Sequence, residues 1–178
     1  MSEEYDELYW KLTSPLNVGE LGILAADDLI RAARMSDPNV VVEIGFNRGS
    51  SALAFLLSND HCKVYSVDIR APESVSASVD FLQSRFPDRF TYVHGDSAFL
   101  HKLLDGVSPD FIFIDGDHSY DGVKRDAELS IQMAPKFLLF DDYLHEYHGP
   151  DVRRVISELG LTVVEIFTCT TGLCLVKL

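Results

Sequence analysis

The chain is expected to fold as a doubly wound α/β protein whose mostly parallel sheet ends in an antiparallel strand. Three observations predict this. Short runs rich in β-formers recur along the chain, helically spaced apolar stripes separate them, and the last two runs lie too close together for a helical crossover. With 178 residues, there is material for one domain of ordinary size. The whole span 1–178 is therefore taken as one domain, with a lid and helix segment at 1–36 and the α/β core at 37–178.

The elements follow in order. Asn17 is placed to cap a helix, with Glu20 reaching back to it and Leu21, Leu24, Ala25 and Leu29 on one face. Strand-like runs then appear at 40–44, 63–67, 90–93, 111–114 and 137–140. They are continuously apolar, which suits strands covered on both faces in a parallel sheet. Between them, Val75, Val79, Leu82 and Phe86 form one helical stripe. Val152, Val155, Ile156 and Leu159 form another, which stops at Gly160. Runs at 161–167 and 173–178 are separated by a short turn holding Thr170, Thr171 and Gly172. So short a link permits an antiparallel hairpin and excludes a crossover helix.

Composition narrows the function classes. The chain is 47% hydrophobic with eleven Phe and seven Tyr, enough for one packed core. No apolar run approaches the roughly 18–20 residues of a membrane span. The first residues are acidic rather than basic-then-apolar, so a soluble, cytoplasmic protein is expected. A net charge of −13 argues against a nucleic-acid partner, because polyanion binding needs a basic surface. The same charge suits a protein that collects a cation, whether a metal or a positively charged cofactor. Cys62, Cys169 and Cys174 form no Cys-x-x-Cys pair and are expected to be reduced, mostly buried side chains.

In an open α/β sheet, ligands sit beyond the carboxyl ends of the strands. After the first strand come Glu43, Gly45, Phe46, Asn47, Gly49 and Ser50, a glycine-bearing turn that opens a helix with free N–H groups. A carboxylate at the mouth of such a turn disfavours a pyrophosphate and welcomes a cofactor that carries an ammonium group. The Gly-x-Gly-x-x-Gly fingerprint of dinucleotide sites is absent. Asp68, followed by Ile69, closes the second strand 23 residues after Gly45, where an acid can accept both hydroxyls of a ribose. Asp96 and Ser97 follow the third strand. Asp96 is placed either to meet an adenine amino group or to cap the next helix.

The fourth strand ends in Asp115-Gly116-Asp117-His118-Ser119-Tyr120 and the fifth in Asp141-Asp142-Tyr143. Adjacent strands of this kind gather four carboxylates at one sheet edge, where mutual repulsion favours a bound divalent cation. Hard oxygen donors suit Mg²⁺, Ca²⁺ or Mn²⁺, and the candidate ligands are Asp115, Asp141 and Asp142. Asp117 or Ser119 can cap the helix through Val123 and Ala127. His118 is the candidate general base, since its charge changes near neutral pH. His145 and His148 either line a substrate entrance or are simply solvated.

These segments resemble class I S-adenosylmethionine-dependent methyltransferases. They are most similar to the small-molecule O-methyltransferases of the macrocin type and the cephalosporin hydroxylase-like proteins. The matching residues run from Val42-Glu43-Ile44-Gly45 through Val67-Asp68, Gly95-Asp96-Ser97 and Asp115-Gly116-Asp117-His118-Ser119-Tyr120 to Asp126, and on to Phe140-Asp141-Asp142-Tyr143. The resemblance implies a Rossmann-like three-layer sandwich with a seven-stranded sheet in the order 3-2-1-4-5-7-6. It implies that Glu43 and Gly45 line the methionine part of S-adenosylmethionine and that Asp68 holds its ribose. It further implies that Asp115, Asp141 and Asp142 hold Mg²⁺, with His118 as base, for transfer of a methyl group to the hydroxyl of a small molecule. The segment 5–15, with Tyr9 and Trp10, is the candidate lid, and homo-oligomerisation is left open. Rival expectations are a nicotinamide-dependent oxidoreductase, a non-catalytic S-adenosylmethionine-binding module, and an oxygenase that keeps the same fold and metal.

Overall fold

The structure, a computed structural model, describes residues 23–168 and 170–178. The cap at Asn17 and Glu20, the helix position Leu21, the lid residues Tyr9 and Trp10, and Cys169 lie outside the described residues. The described elements are α1 (Ile23–Ser36), β1 (Val40–Ile44), α2 (Ser50–Ser58), β2 (Lys63–Asp68), α3 (Pro72–Arg85), β3 (Phe90–His94), α4 (Leu100–Leu103), β4 (Phe111–Ile114), α5 (Tyr120–Gln132), β5 (Phe137–Phe140), α6 (Gly149–Glu158), β6 (Thr162–Phe167) and β7 (Leu173–Lys177).

The strands form one seven-stranded sheet in the order β3-β2-β1-β4-β5-β7-β6. β1 pairs in parallel with β2 and β4, and β5 continues the parallel run beside β4. β7 then lies antiparallel to β5 and to β6, so the short link after β6 is indeed a hairpin. The order reverses between β1 and β4. Both strands end there without covering one another's carboxyl ends, which opens a crevice.

Alternation along each strand divides the core between the two faces of the sheet. Val41, Phe111, Phe113 and Leu139 pack against α1, α2 and α3, through residues such as Leu29, Phe55 and Leu82. Val42, Ile44, Ile112, Ile114 and Leu138 pack against α5 and α6, through Val123, Ala127, Val152 and Val155. The helical stripes face the core: Val75 and Leu82 on α3, Phe86 just after it, and Val152, Val155 and Ile156 on α6 are buried, while Val79 and Leu159 are partly buried. Complete burial of a side chain such as Phe55 or Phe111 contributes about 1.5–3 kcal/mol. Cys62 and Cys174 are buried free thiols, both pushed up to about 12 chiefly by burial. No helix among the described residues is long and apolar enough to cross a membrane.

Candidate active site

The turn after β1 owes its shape to two glycines and one carboxylate. Gly45 has φ +97° and Gly49 φ +83°, values at which a Cβ is strained. The Gly45 N–H donates to the Val67 carbonyl (2.9 Å) and the Asp115 N–H to the Ile44 carbonyl (2.9 Å), so the turn is pinned between β2 and β4. Asp68, at the end of β2, accepts the N–H groups of Phe46 (2.9 Å) and Asn47 (2.8 Å) on Oδ2 and that of Arg70 (2.8 Å) on Oδ1. Asp68 thus organises the turn, and Oδ1 keeps a lone pair for a ligand hydroxyl. Phe46 is buried against Phe90 and Tyr92, with ring centroids 5.7 and 5.1 Å away, and anchors the turn to the core.

Glu43 occupies a different place from the one its sequence position suggests. It is fully buried, and its carboxyl oxygens accept the hydroxyls of Ser51 on α2 and Ser66 on β2. Burial pushes its pKa from 4.5 to about 7, against the opposing effect of those two hydrogen bonds. Its pKa is raised in the folded state, so the corresponding stability is complete below pH 4.5 and is lost as pH rises through about 7. Glu43→Gln keeps the shape and removes the ionisation, while the rotatable serine hydroxyls can accept as well as donate. The variant is expected to exceed the parent by about 3 kcal/mol at pH 8 and by only about 1 kcal/mol at pH 5. Urea midpoints at the two pH values measure this. Parallel profiles for the two proteins would show that folding leaves the Glu43 pKa at its ordinary value.

Beyond the strand ends lies a cavity of about 490 Å³. Among its lining residues are Gly45, Asn47, Asp68, Ile69, Asp96, Ser97, Asp115 and His118, all expected from sequence. Of the other expected cofactor residues, Glu43, Phe46, Gly49 and Ser50 do not line it. They lie behind the wall, as a strand interior, a core anchor and the start of α2. Asp96 caps the turn of 3₁₀ helix at Ser97–Phe99, accepting the Ala98 N–H at 2.9 Å, and also lines the cavity.

Arg70 and Arg125 also line the cavity and were not singled out from sequence. Arg125 donates to Ser97 Oγ (3.2 Å) and to Asp126 Oδ1 (3.2 Å), and Ser97 Oγ donates to the same Asp126 oxygen at 2.8 Å. The available signal was Asp126 itself, an acid on the apolar face of α5 beside Val123 and Ala127 and buried to 1% exposure. Ser119 caps α5 by accepting the Gly122 N–H at 3.1 Å, while Asp117 accepts the Ser119 N–H at 2.9 Å.

The acids at the ends of β4 and β5 are paired rather than pooled. Burial, reinforced by the neighbouring Asp141, holds Asp115 well above the carboxylate range, and burial also raises Asp141. A hydrogen bond joins the Asp115 and Asp141 side chains. Asp142 faces the other way. His118 Nδ1 lies 3.0 Å from Asp142 Oδ2, with the His118 side chain 40% exposed at the cavity edge. The hydrogen bond to Asp142 raises the His118 pKa against the effect of burial. Burial pushes Asp142 up, but the hydrogen bond and charge of His118 outweigh it and hold that carboxyl low. Asp142 Oδ2 is engaged by the His118 imidazole, and Asp115 and Asp141 are not in the donor set that converges most closely among the described residues. Among the described residues, the three side chains whose donor atoms converge within 4.8 Å of one another are Asp142, His145 and His148.

Comparison with known proteins agrees with this architecture. No curated protein sequence matches the chain. Many solved structures share its fold, among them the following three. The methyltransferase PaMTH1 of Podospora anserina, bound to S-adenosylhomocysteine, is 17% identical with a TM-score of 0.73, over 98% of this chain and 86% of that one. The O-methyltransferase TomG of Streptomyces achromogenes, from tomaymycin synthesis and in complex with S-adenosylmethionine, is 15% identical with a TM-score of 0.76, over 100% and 90%. The O-methyltransferase of Bacillus cereus, in complex with S-adenosylhomocysteine, is 13% identical with a TM-score of 0.77, over 100% and 92%. Residues 42–143, which carry the glycine turn, Asp68, Asp96, Asp115, His118 and Asp142, match the methyltransferase domain family, and over that majority of its length the chain belongs to it.

Proposed function

We propose that the protein transfers the methyl group of S-adenosylmethionine to the hydroxyl of a small molecule, as in the macrocin-type branch of the family. One observation carries the reading: a single cavity joins the glycine turn, Asp68 and Asp96 at one end to Asp115 and His118 at the other. A cavity of about 490 Å³ suits a nucleoside-sized ligand. The free lone pair on Asp68 Oδ1 fits a ribose hydroxyl, and Asp96 lines the same cavity, where an adenine amino group is expected.

S-adenosylmethionine, when bound, supplies a methyl already activated by the sulfonium. The protein's task is then alignment of donor and acceptor and removal of one proton. His118 sits where an acceptor would enter. Asp142 accepts from its Nδ1, which leaves Nε2 free to take the acceptor proton and stabilises the imidazolium that forms. A divalent cation at this edge remains part of the proposal, though the protein's steps above do not depend on it.

The test is calorimetric titration of the full chain with S-adenosylmethionine and S-adenosylhomocysteine. Saturable binding of both with micromolar Kd, near −8 kcal/mol, is expected. A folded sample that binds neither would overturn the proposal.

A further inference from the structure

We infer that Asp142, His145 and His148 form a binding site for a first-row transition cation of the Zn²⁺ type. This is a donor set distinct from the all-carboxylate trio expected from the strand ends. The inference goes beyond the methyltransferase proposal and does not depend on it.

The spacing Asp142-x-x-His145-x-x-His148 places one donor every three residues along a chain segment that coils tightly. The His145 N–H donates to the Asp142 carbonyl (3.0 Å) and the Gly149 N–H to the His145 carbonyl (3.0 Å), so successive turns stack the three side chains on one side. Tertiary contacts hold the coil in place. The Tyr143 N–H donates to the Gly172 carbonyl (3.0 Å) and the Leu144 N–H to the Thr171 carbonyl (2.8 Å), which ties it to the β6–β7 hairpin.

One donor atom from each of the three residues lies within 4.8 Å of the others. Donors around a tetrahedral ion with bonds near 2.0–2.1 Å lie about 3.4 Å apart, so closing the site takes a contraction of at most about 1.4 Å. The His145 and His148 rings are stacked, with centroids 4.6 Å apart and planes at 26°. His145 Nδ1 accepts the N–H groups of Tyr147 and His148, both at 3.2 Å, which fixes the ring beside that of His148. On the far side of Asp142, His118 Nδ1 approaches Oδ2 at 3.0 Å and orients the carboxylate, as an outer partner of a ligand does.

Donor chemistry decides which ion. Mg²⁺ takes oxygen ligands in an octahedron, whereas two imidazoles and one carboxylate suit Zn²⁺, Co²⁺, Ni²⁺ or Fe²⁺ and leave coordination positions open. Asp115 and Asp141 stay outside the set of donors that converge among the described residues.

The experiment uses the full chain stripped of metal by chelation. Zn²⁺, Co²⁺ and Mg²⁺ are titrated by calorimetry, and the visible absorption of the Co²⁺ form is recorded, for the parent and for His145→Ala, His148→Ala and Asp141→Asn. Zn²⁺ is expected to bind at least about 100-fold more tightly than Mg²⁺. The Co²⁺ form is expected to show the visible bands of mixed nitrogen and oxygen ligation. Each histidine replacement should weaken Zn²⁺ by at least about 10-fold, with Asp141→Asn changing it by less than about threefold. The inference is overturned by equal affinity for Mg²⁺ and Zn²⁺, by Zn²⁺ binding that survives both histidine replacements, by a selective loss in Asp141→Asn, or by no saturable binding. S-adenosylhomocysteine titrated into the same samples reads the methyltransferase proposal separately, so failure of one leaves the other standing.

Discussion

Gly45→Ala is expected to lose at least about 4 kcal/mol of stability and all measurable binding of S-adenosylhomocysteine, an effect at the extreme of single substitutions. A Cβ at this position would lie 2.0 Å from the Asp115 carbonyl oxygen and 2.7 Å from its carbon, in a backbone already at φ +97°. The obstacle is main chain on both sides, because Gly45 and Asp115 belong to adjoining strand ends tied by the Asp115 N–H to the Ile44 carbonyl. No side-chain rotation can relieve the overlap, so β1 and β4 must part at the crevice where the cofactor is proposed to sit. Gly106→Ala is the control: its φ is +78°, but nothing lies within 4 Å of the added Cβ. That variant carries only the left-handed backbone cost of about 1–2 kcal/mol. Thermal unfolding should therefore show a drop of roughly 10 °C or more for Gly45→Ala and a few degrees for Gly106→Ala. Equal shifts would mean that backbone strain alone, and not the close approach of the two strand ends, makes glycine necessary at 45.

His118→Ala is expected to lower kcat by about 10²–10⁴-fold, the usual contribution of a positioned general base. The affinity for S-adenosylhomocysteine should change by less than about threefold, since the base acts on the acceptor and not on the cofactor. His118 is the one imidazole that both lines the cavity and is oriented by a carboxylate at 3.0 Å. The measurement is single-turnover methyl transfer from labelled S-adenosylmethionine to any hydroxyl compound that the parent protein methylates, with calorimetry on the same samples. An unchanged rate would remove His118 from the mechanism. A loss that appeared mainly as weaker cofactor binding would make it a wall of the cavity instead.

Strand and helix order was legible in the residues because each element carries its own period. Continuous apolar runs such as Val40–Ile44 and Phe111–Ile114 can be satisfied only between two helical layers, and the observed core divides between the two faces in just this way. The β6–β7 hairpin was legible for a still simpler reason: the intervening chain is too short to cross the sheet. The strand-end positions of Asp68, Asp96, Asp115, His118 and Asp142 were equally readable, since an α/β sheet gathers its ligand-facing residues at one edge. Seven strands in the observed order required the family resemblance, because the local pattern names neighbours in sequence and not neighbours in space.

Tertiary structure alone decided which polar groups pair with which. Glu43 follows a strand alternation that turns it toward Ser51 and Ser66 and away from the cavity, and Ser66 comes from a different strand. Arg125 reaches the cavity only through Ser97 and Asp126, which lie 28 and 1 residues from it along the chain. Whether Asp115, Asp141 and Asp142 pool around an ion or separate, with Asp142 turned to an imidazole, depends on side-chain distances within the site. Periodicity does not encode such distances. The residues by themselves therefore determined the fold and the edge at which chemistry occurs, while the packing of distant segments determined the charge states and the convergence of Asp142 with His145 and His148.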